Sequence, residues 1–156
     1  DYKQLQSYRE ELGRASLPKT LENYQKIVYN KSDKNNFDHY IDARRRGDLS
    51  AVVSFSDWQE MNTNLKTAFI GKTAPNGIKI ASVSKHFVDR VIGTIYQKCS
   101  GVSIRNLQKI IANGQIAEVK TDKKGRKSQR IYIDELCDIT INPETGELIQ
   151  CNPNSK

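Results

Sequence analysis

The sequence has little of what metal-binding and disulfide-rich proteins need. Its 156 residues include only three cysteines, Cys99, Cys137 and Cys151, and two histidines, His39 and His86. No CxxC motif is present, so we expect no zinc site, no other metal ion and no cofactor. The odd number of cysteines predicts unpaired, partly buried thiols, although a Cys137–Cys151 bridge across a hairpin stays open.

A long apolar run is also missing. No stretch approaches the ~20 consecutive apolar residues that a membrane-spanning helix requires, and we predict no membrane-spanning segment. The first residues lack the basic-then-apolar order of a signal peptide. The chain starts at Asp1 without an initiator methionine, which is compatible with an exported chain or with a fragment of a longer protein.

Positive charge is present in excess. The net charge is +7, from 25 Lys and Arg against 18 Asp and Glu, and it favours a polyanionic partner. Residues 78–156 contribute 13 − 8 = +5, and residues 1–77 contribute 12 − 10 = +2. The excess peaks at residues 120–130, which hold six basic residues and one acid, Asp122. This basic turn predicts either a solvated hairpin tip or a contact for phosphate.

Hydrophobic spacing divides the chain into a helical part and a mixed part. Residues 1–77 show helical periodicity up to the breaking residues of "GKTAPNG". A short strand at 78–80 and two helices, starting at Ser82 or Ser84 and at Ser103, should follow. Strands are predicted over 116–121, 127–134, 137–142 and 147–151. The class is α+β: an N-terminal helical region, then two helices packed on a four-stranded antiparallel sheet.

The first helix of the second part carries a candidate reactive group. His86 and Arg90 are four residues apart and are neighbours on the helix surface. They point away from an apolar stripe that is centred near Val91 and Ile95. An imidazole beside a guanidinium suits a proton acceptor next to a phosphate clamp. The alternative is an ordinary polar helix face with an incidental histidine.

The second predicted strand carries a row of phosphate-binding groups. Alternation places Ser128, Arg130 and Tyr132 on one face, with the neighbouring isoleucines toward the core. Thr140 follows the same pattern on the next strand. Guanidinium and hydroxyl groups bind phosphate, and Tyr132 could stack on a base. A solvated sheet face is the alternative. If the His86 helix lies against this face, the groups together could cleave RNA without a metal.

Four motifs, in order, resemble a known toxin domain. "VSKHFVDRV", "GVSIRNLQKII", "KTDKKGRKSQRIYI" and "ITINPETGELIQCNP" are similar to motifs of a nuclease domain in bacterial polymorphic toxins and phage head-associated proteins, the group called bacterial toxin 50. That group resembles the Barnase–EndoU–colicin–RelE superfamily of small α+β ribonucleases. The resemblance covers residues 78–153. It implies a nuclease domain over residues 78–156 and a pre-toxin or linker region over residues 1–77.

The residue pattern and the resemblance together assign ten side chains. Many relatives carry a second arginine ahead of "GVS", where this chain has Lys98, a single cation in place of a two-pronged donor. The expected catalytic residues are His86, Arg90, Ser128, Arg130 and Thr140. The expected substrate-binding residues are Lys98, Lys124, Arg126, Lys127 and Tyr132.

The expected function is that of a metal-independent endoribonuclease toxin in interbacterial competition. The ribose 2′-hydroxyl would attack the adjacent phosphorus and leave 2′,3′-cyclic phosphate and 5′-hydroxyl ends, with tRNA as one candidate substrate. The resemblance implies a larger delivery protein on the N-terminal side, an acidic cognate immunity protein, and action in the cytoplasm of a target cell. The alternative is a phage head-associated protein that binds nucleic acid or capsid and cuts nothing.

Overall fold

The computed structural model describes residues 31–50 and 52–153, and that part has an α+β fold. The helical pattern of residues 1–30 lies outside it. No helix in the described ranges is both long and apolar enough to cross a bilayer. The helices are α1 (Lys31–Arg45), α2 (Phe55–Phe69), α3 (Lys85–Ile92) and α4 (Ile104–Asn113). The strands are β1 (Ser82–Val83), β2 (Gln115–Thr121), β3 (Lys127–Ile133), β4 (Cys137–Ile141) and β5 (Glu147–Pro153).

Serine caps fix where three of the helices begin. The hydroxyls of Ser54, Ser84 and Ser103 each accept a hydrogen bond from the backbone N–H three residues ahead. Such a cap satisfies one of the orphan donors of a helix start and stabilises the helix by about 1 kcal/mol. Of the two starts predicted for α3, Ser84 is the cap and Ser82 belongs to β1. The predicted helix start at Ser103 is confirmed.

Helix α3 is shorter than its apolar pattern predicts. It ends at Gly93, which has a φ of 110°, and a 3-10 turn over Ile95–Gln97 follows. Ile95, predicted to face inward, is instead 50% exposed. The cause is a close return of the chain, because a Cβ on Gly93 would lie 2.7 Å from the carbonyl oxygen of Cys99. If the helix continued past Gly93, the close contact between Gly93 and the backbone of Cys99 would be lost.

The sheet is mixed and has five strands, in the order β1-β5-β4-β3-β2. The predicted four-stranded antiparallel sheet is therefore corrected, because β1 pairs in parallel with β5. The strand predicted at 78–80 is wrong, since that segment makes only an isolated bridge between Thr73 and Lys79. A tight turn causes this: Gly77 has a φ of 81° and the N–H of Ala74 donates to the carbonyl of Ile78.

The register of the sheet gives it two chemically different faces. Ile131, Ile139 and Cys151 are cross-strand neighbours, and all three are at most 1% exposed. We call this the inner face, which α3 and α4 cover. Arg130 is paired with Thr140, and these alternate residues define the outer face. The outer face is therefore the polar, half-buried side of the sheet.

A single hydrophobic core extends across residue 77. Side chains from α1 and α2 pack in the same cluster as those from α3, α4 and the inner face. The proposed boundary between 1–77 and 78–156 therefore separates two sequence regions but runs through one core. Buried members on the two sides include Phe37, Tyr40, Trp58 and Leu65, then Phe87, Val91, Leu107 and Ile139.

Candidate active site

The sheet separates the predicted catalytic residues into two groups. His86 and Arg90 belong to α3, which packs on the inner face. Ser128, Arg130 and Thr140 alternate with the buried isoleucines and lie on the outer face. Successive side chains of a strand point to opposite faces. A helix that packs against the isoleucines of the inner face therefore does not contact the side chains of the outer face. The structure does not bring the five residues into the single cleft expected from the sequence.

A buried carboxylate joins three helices on the inner side of the molecule. Asp89 of α3 is 0% exposed. Its Oδ2 lies 2.8 Å from Nε2 of His39 in α1, and its Oδ1 accepts a hydrogen bond of 2.7 Å from the indole Nε1 of Trp58 in α2. A carboxylate without such partners would be very costly to bury. Both of its oxygens are therefore held, and α1, α2 and α3 are tied together.

His39 is fixed in orientation and still partly accessible. Its ring packs tilted against Trp58, with 5.5 Å between ring centroids, and its side chain is 19% exposed. The bond to Asp89 engages Nε2, so Nδ1 is the ring nitrogen that stays available to a substrate. Nδ1 accepts no hydrogen bond from a residue in the described ranges.

His86 lies near the same carboxylate. Arg90 Nε donates to its Nε2 over a long 3.4 Å. His86 is exposed at the surface, but partial desolvation lowers its pKa below 6.5, and the positive charge of Arg90 lowers it further. Asp89 and Asp48 act in the opposite direction, and His39 adds a smaller lowering of the pKa. The two histidines of the chain are thus within electrostatic reach of each other. We call His39, His86, Asp89 and Arg90 the histidine cluster.

Arg90 is the cation of the histidine cluster. Its guanidinium carbon lies 5.7 Å from the ring centroid of Tyr96, a side chain that is 87% exposed. Its Nη1 is buried and has no hydrogen-bond partner within the described part of the chain. A buried donor without a partner is uncommon and requires an explanation. An anion that approached His86 and Arg90 could supply the missing acceptor.

The outer face is organised around an ion pair. Arg130 Nε lies 3.2 Å from Oδ2 of Asp138, a carboxylate that is 8% exposed. The guanidinium of Arg130 also covers the ring of Tyr132 at 4.4 Å. Ser128 and Thr140 are half-buried on the same face, next to this pair. Arg130 therefore already contacts two protein side chains, and it is also positioned to contact a ligand on the outer face.

The basic turn folds around its single acid. Asp122 accepts hydrogen bonds from the backbone N–H groups of Lys124 and Arg126 and from Arg126 Nε. The Arg126 backbone hydrogen bond is the largest cause of the lowered pKa of Asp122. Lys127 lies 3.9 Å from Glu144, and Lys124 is exposed. This turn connects β2 and β3, at the opposite edge of the sheet from β1 and β5.

Lys98 belongs to the other side of the molecule. It follows the 3-10 turn that carries Tyr96 and adopts a left-handed φ of 56°. Its side chain is exposed. Of the five predicted substrate-binding residues, Lys98 is therefore the one whose position in the chain is near the histidine cluster. The other four lie on the basic turn and on β3.

The described residues contain no group of three or more His, Cys, Asp or Glu side chains that could hold a metal ion. Comparison of the chain with models of known protein families, with curated proteins and with solved structures found no match in any of the three. The function proposed below therefore rests on the geometry of the two sites and on the sequence motifs.

Sequence reasoning missed two members of the histidine cluster, His39 and Asp89. One signal was present: Asp89 stands inside "FVDRV", among apolar positions that pack in the core. A carboxylate at such a position needs buried donors. Nothing in the local sequence shows that the donors are His39, fifty residues away, and Trp58.

Proposed function

We propose that the protein is a metal-independent endoribonuclease whose chemistry takes place at the histidine cluster. The observation that carries this proposal is the contact of Arg90 with His86, an exposed imidazole whose pKa is lowered by partial desolvation and by the charge of Arg90. A neutral imidazole can accept a proton near neutral pH, and the adjacent guanidinium can stabilise charge on a phosphate. The resemblance of residues 78–153 to toxin-type ribonucleases supports the same reaction class.

The reaction follows from these two groups and from the substrate. His86 takes the proton from a ribose 2′-hydroxyl, and the 2′-oxygen forms a bond to the adjacent phosphorus. Arg90 stabilises the negative charge on the non-bridging oxygens. The bond from phosphorus to the 5′-oxygen then breaks, the departing oxygen takes up a proton, and the products carry a 2′,3′-cyclic phosphate and a 5′-hydroxyl. The attacking oxygen belongs to RNA, so DNA is not a substrate.

The expected biological setting is carried by the resemblance alone. It supports a toxin acting on RNA in the cytoplasm of a target cell, with tRNA as one candidate substrate. A delivery protein on the N-terminal side and an acidic immunity protein complete this proposal. The excess of positive charge in residues 78–156 would favour both an RNA substrate and an acidic inhibitor.

The test is the chemistry of the RNA ends. The purified full chain is incubated with total bacterial RNA in EDTA, and fragments are sequenced after selection for 5′-hydroxyl ends. We expect discrete cleavage by the wild type and by Lys85→Ala, an exposed neighbour on α3. His86→Ala should lose ~10²–10⁴-fold in rate, the usual contribution of a general base. Cleavage that needs added divalent metal, or that survives His86→Ala unchanged, would overturn the proposal.

The outer face supports a second candidate function, RNA binding without cleavage. Its basis is the stack of Arg130 on Tyr132 at 4.4 Å, beside the basic turn. Aromatic and guanidinium planes both stack on nucleic-acid bases. Binding measured by fluorescence anisotropy, lost in Arg130→Ala and unaffected by His86→Ala, with no 5′-hydroxyl product from the wild type, would favour this function.

A further inference from the structure

The hydrogen bond between His39 and Asp89 serves more than helix packing. A buried carboxylate that holds one nitrogen of an imidazole fixes the orientation of the ring and stabilises its charged form. Here Asp89 holds Nε2 at 2.8 Å, and Trp58 holds the other carboxylate oxygen at 2.7 Å. The ring therefore presents Nδ1 as its reactive atom.

We propose that His39 is the second proton-transfer group of the site, with Asp89 as its positioning residue. This inference rests on the endoribonuclease function proposed above and extends it to a residue outside the region of resemblance. It assigns the two histidines to opposite ends of one reaction. His86 receives the proton of the 2′-hydroxyl. His39, which enters the reaction with a proton on each ring nitrogen, donates the Nδ1 proton to the departing 5′-oxygen.

The atoms balance in this scheme. One P–O bond forms to the 2′-oxygen and one breaks to the 5′-oxygen, and no group is oxidised or reduced. One proton enters His86 and one leaves His39, so the enzyme finishes with the two protonation states exchanged. Proton exchange with water restores the original protonation states of both histidines before the next turnover.

The charged groups around the two rings come from two parts of the chain. Asp89 and Arg90 of α3 face His86, and Asp48 of the loop after α1 is also within its electrostatic reach. Asp48 is tied to Arg46 by an ion pair of 2.9 Å. Its carbonyl accepts the backbone N–H of Ile95 at 2.8 Å. This bond anchors the loop after α1 to the turn after α3, so the two ring-bearing elements hold a fixed relationship.

The experiment uses a substrate that needs no general acid. Two versions of one short RNA are prepared: the natural one, and one in which sulfur replaces the bridging 5′-oxygen of the scissile phosphate. A thiolate leaves without protonation, so a residue that only protonates the leaving group becomes dispensable. The variants are His39→Gln, whose amide can still donate to Asp89, and His39→Ala. His86→Ala and Lys85→Ala are the comparisons, and unfolding curves verify that each variant is folded.

We expect His39→Gln to cleave the natural RNA ~10²–10⁴-fold more slowly than the wild type and to cleave the sulfur RNA within about threefold of it. His86→Ala should be slow on both substrates. Equal loss on both substrates in a folded His39 variant would show a structural role and overturn the inference. Full activity of His39→Gln on the natural RNA would overturn it too. A wild type inactive on both would instead remove the endoribonuclease proposal itself.

Discussion

Oδ1 of Asp89 accepts a hydrogen bond from the indole Nε1 of Trp58 at 2.7 Å, in a part of the protein where the carboxylate has no access to solvent. The sole tryptophan of the chain is thus the fixed support of the acid that orients His39. This relationship connects the stability of the fold to the proposed chemistry.

Replacing Trp58 should destabilise the protein because Asp89 would lose a hydrogen bond. Trp58→Phe keeps an aromatic ring in the core but removes the donor, so one buried oxygen of Asp89 loses its hydrogen bond. We expect the free energy of unfolding to fall by ~1–3 kcal/mol, measured by urea denaturation followed by circular dichroism. Tyr96→Phe, at an exposed aromatic residue, is the control. Equal stability of Trp58→Phe and the wild type would contradict the role of this bond.

The fragment of residues 78–156 should not fold as the full chain does. It lacks α1 and α2, whose buried side chains share the core with α3. It also leaves Asp89 without His39 and Trp58. We expect a loss of cooperative thermal unfolding in the fragment, whereas the full chain should show it. A fragment that unfolds as cooperatively as the full chain would show that residue 77 is a true domain boundary.

The pH dependence of stability should reveal the environment of His86. Its pKa in the folded protein lies below the ordinary 6.5, so the unfolded chain binds this proton more readily. The contribution of His86 to the free energy of unfolding is therefore fully present above about pH 6.5. It is lost as the pH falls from the pKa of the unfolded chain to the pKa of the folded protein. Urea midpoints at about pH 7.5 and 5.5 should differ less in His86→Gln than in the wild type. An unchanged difference would contradict the lowered pKa.

Gly101 should be intolerant of a side chain. A Cβ there would lie 1.9 Å from the carbonyl oxygen of Val91, at the end of α3. Gly101→Ala must therefore displace the loop between α3 and α4, and we expect a loss of at least ~1–3 kcal/mol. Gly125→Ala, in the basic turn with nothing within 4 Å but a φ of 79°, should cost about 1 kcal/mol from backbone strain alone. Thermal melts of both variants compare the two costs, and a smaller loss at Gly101 would contradict the close approach.

One cysteine should react far faster than the other two. Cys99 is exposed, and Cys137 and Cys151 are buried. Burial raises the pKa of Cys137 to about 11 and raises that of Cys151 still further, which keeps both thiols uncharged and unreactive. Iodoacetamide followed by peptide mass analysis should label Cys99 alone in the native protein. Rapid labelling of Cys151 without unfolding would contradict its burial.

The local parts of the fold were predictable because their signals are local. Ser84 and Ser103 precede apolar periodicity and cap their helices. The isoleucines of β3 and β4 alternate with polar residues, and Ile131, Ile139 and Ile141 are buried as expected, whereas Ile133 is half-buried. Unpaired cysteines were also predicted correctly. In each case the controlling interaction joins residues close in sequence or follows from the period of a strand.

The site was less predictable because its geometry depends on distant contacts. Alternation correctly grouped Arg130 with Thr140, but it could not show that the helix of His86 covers the opposite face. The parallel pairing of Ser82 with Glu147 has no local signal, and it helps to set where α3 lies. The early end of α3 depends on the return of the chain to Gly93. Each of these features is decided by tertiary packing.

The central claim is that the chemistry belongs to the inner side of the molecule and not to the outer face of the sheet. The most direct measurement is the steady-state cleavage of one RNA by His86→Ala and by Arg130→Ala, with kcat and KM determined separately. The account predicts a fall in kcat of ~10²–10⁴-fold for His86→Ala, and for Arg130→Ala a rise in KM with kcat unchanged. A loss of kcat in Arg130→Ala together with a normal kcat in His86→Ala would contradict it.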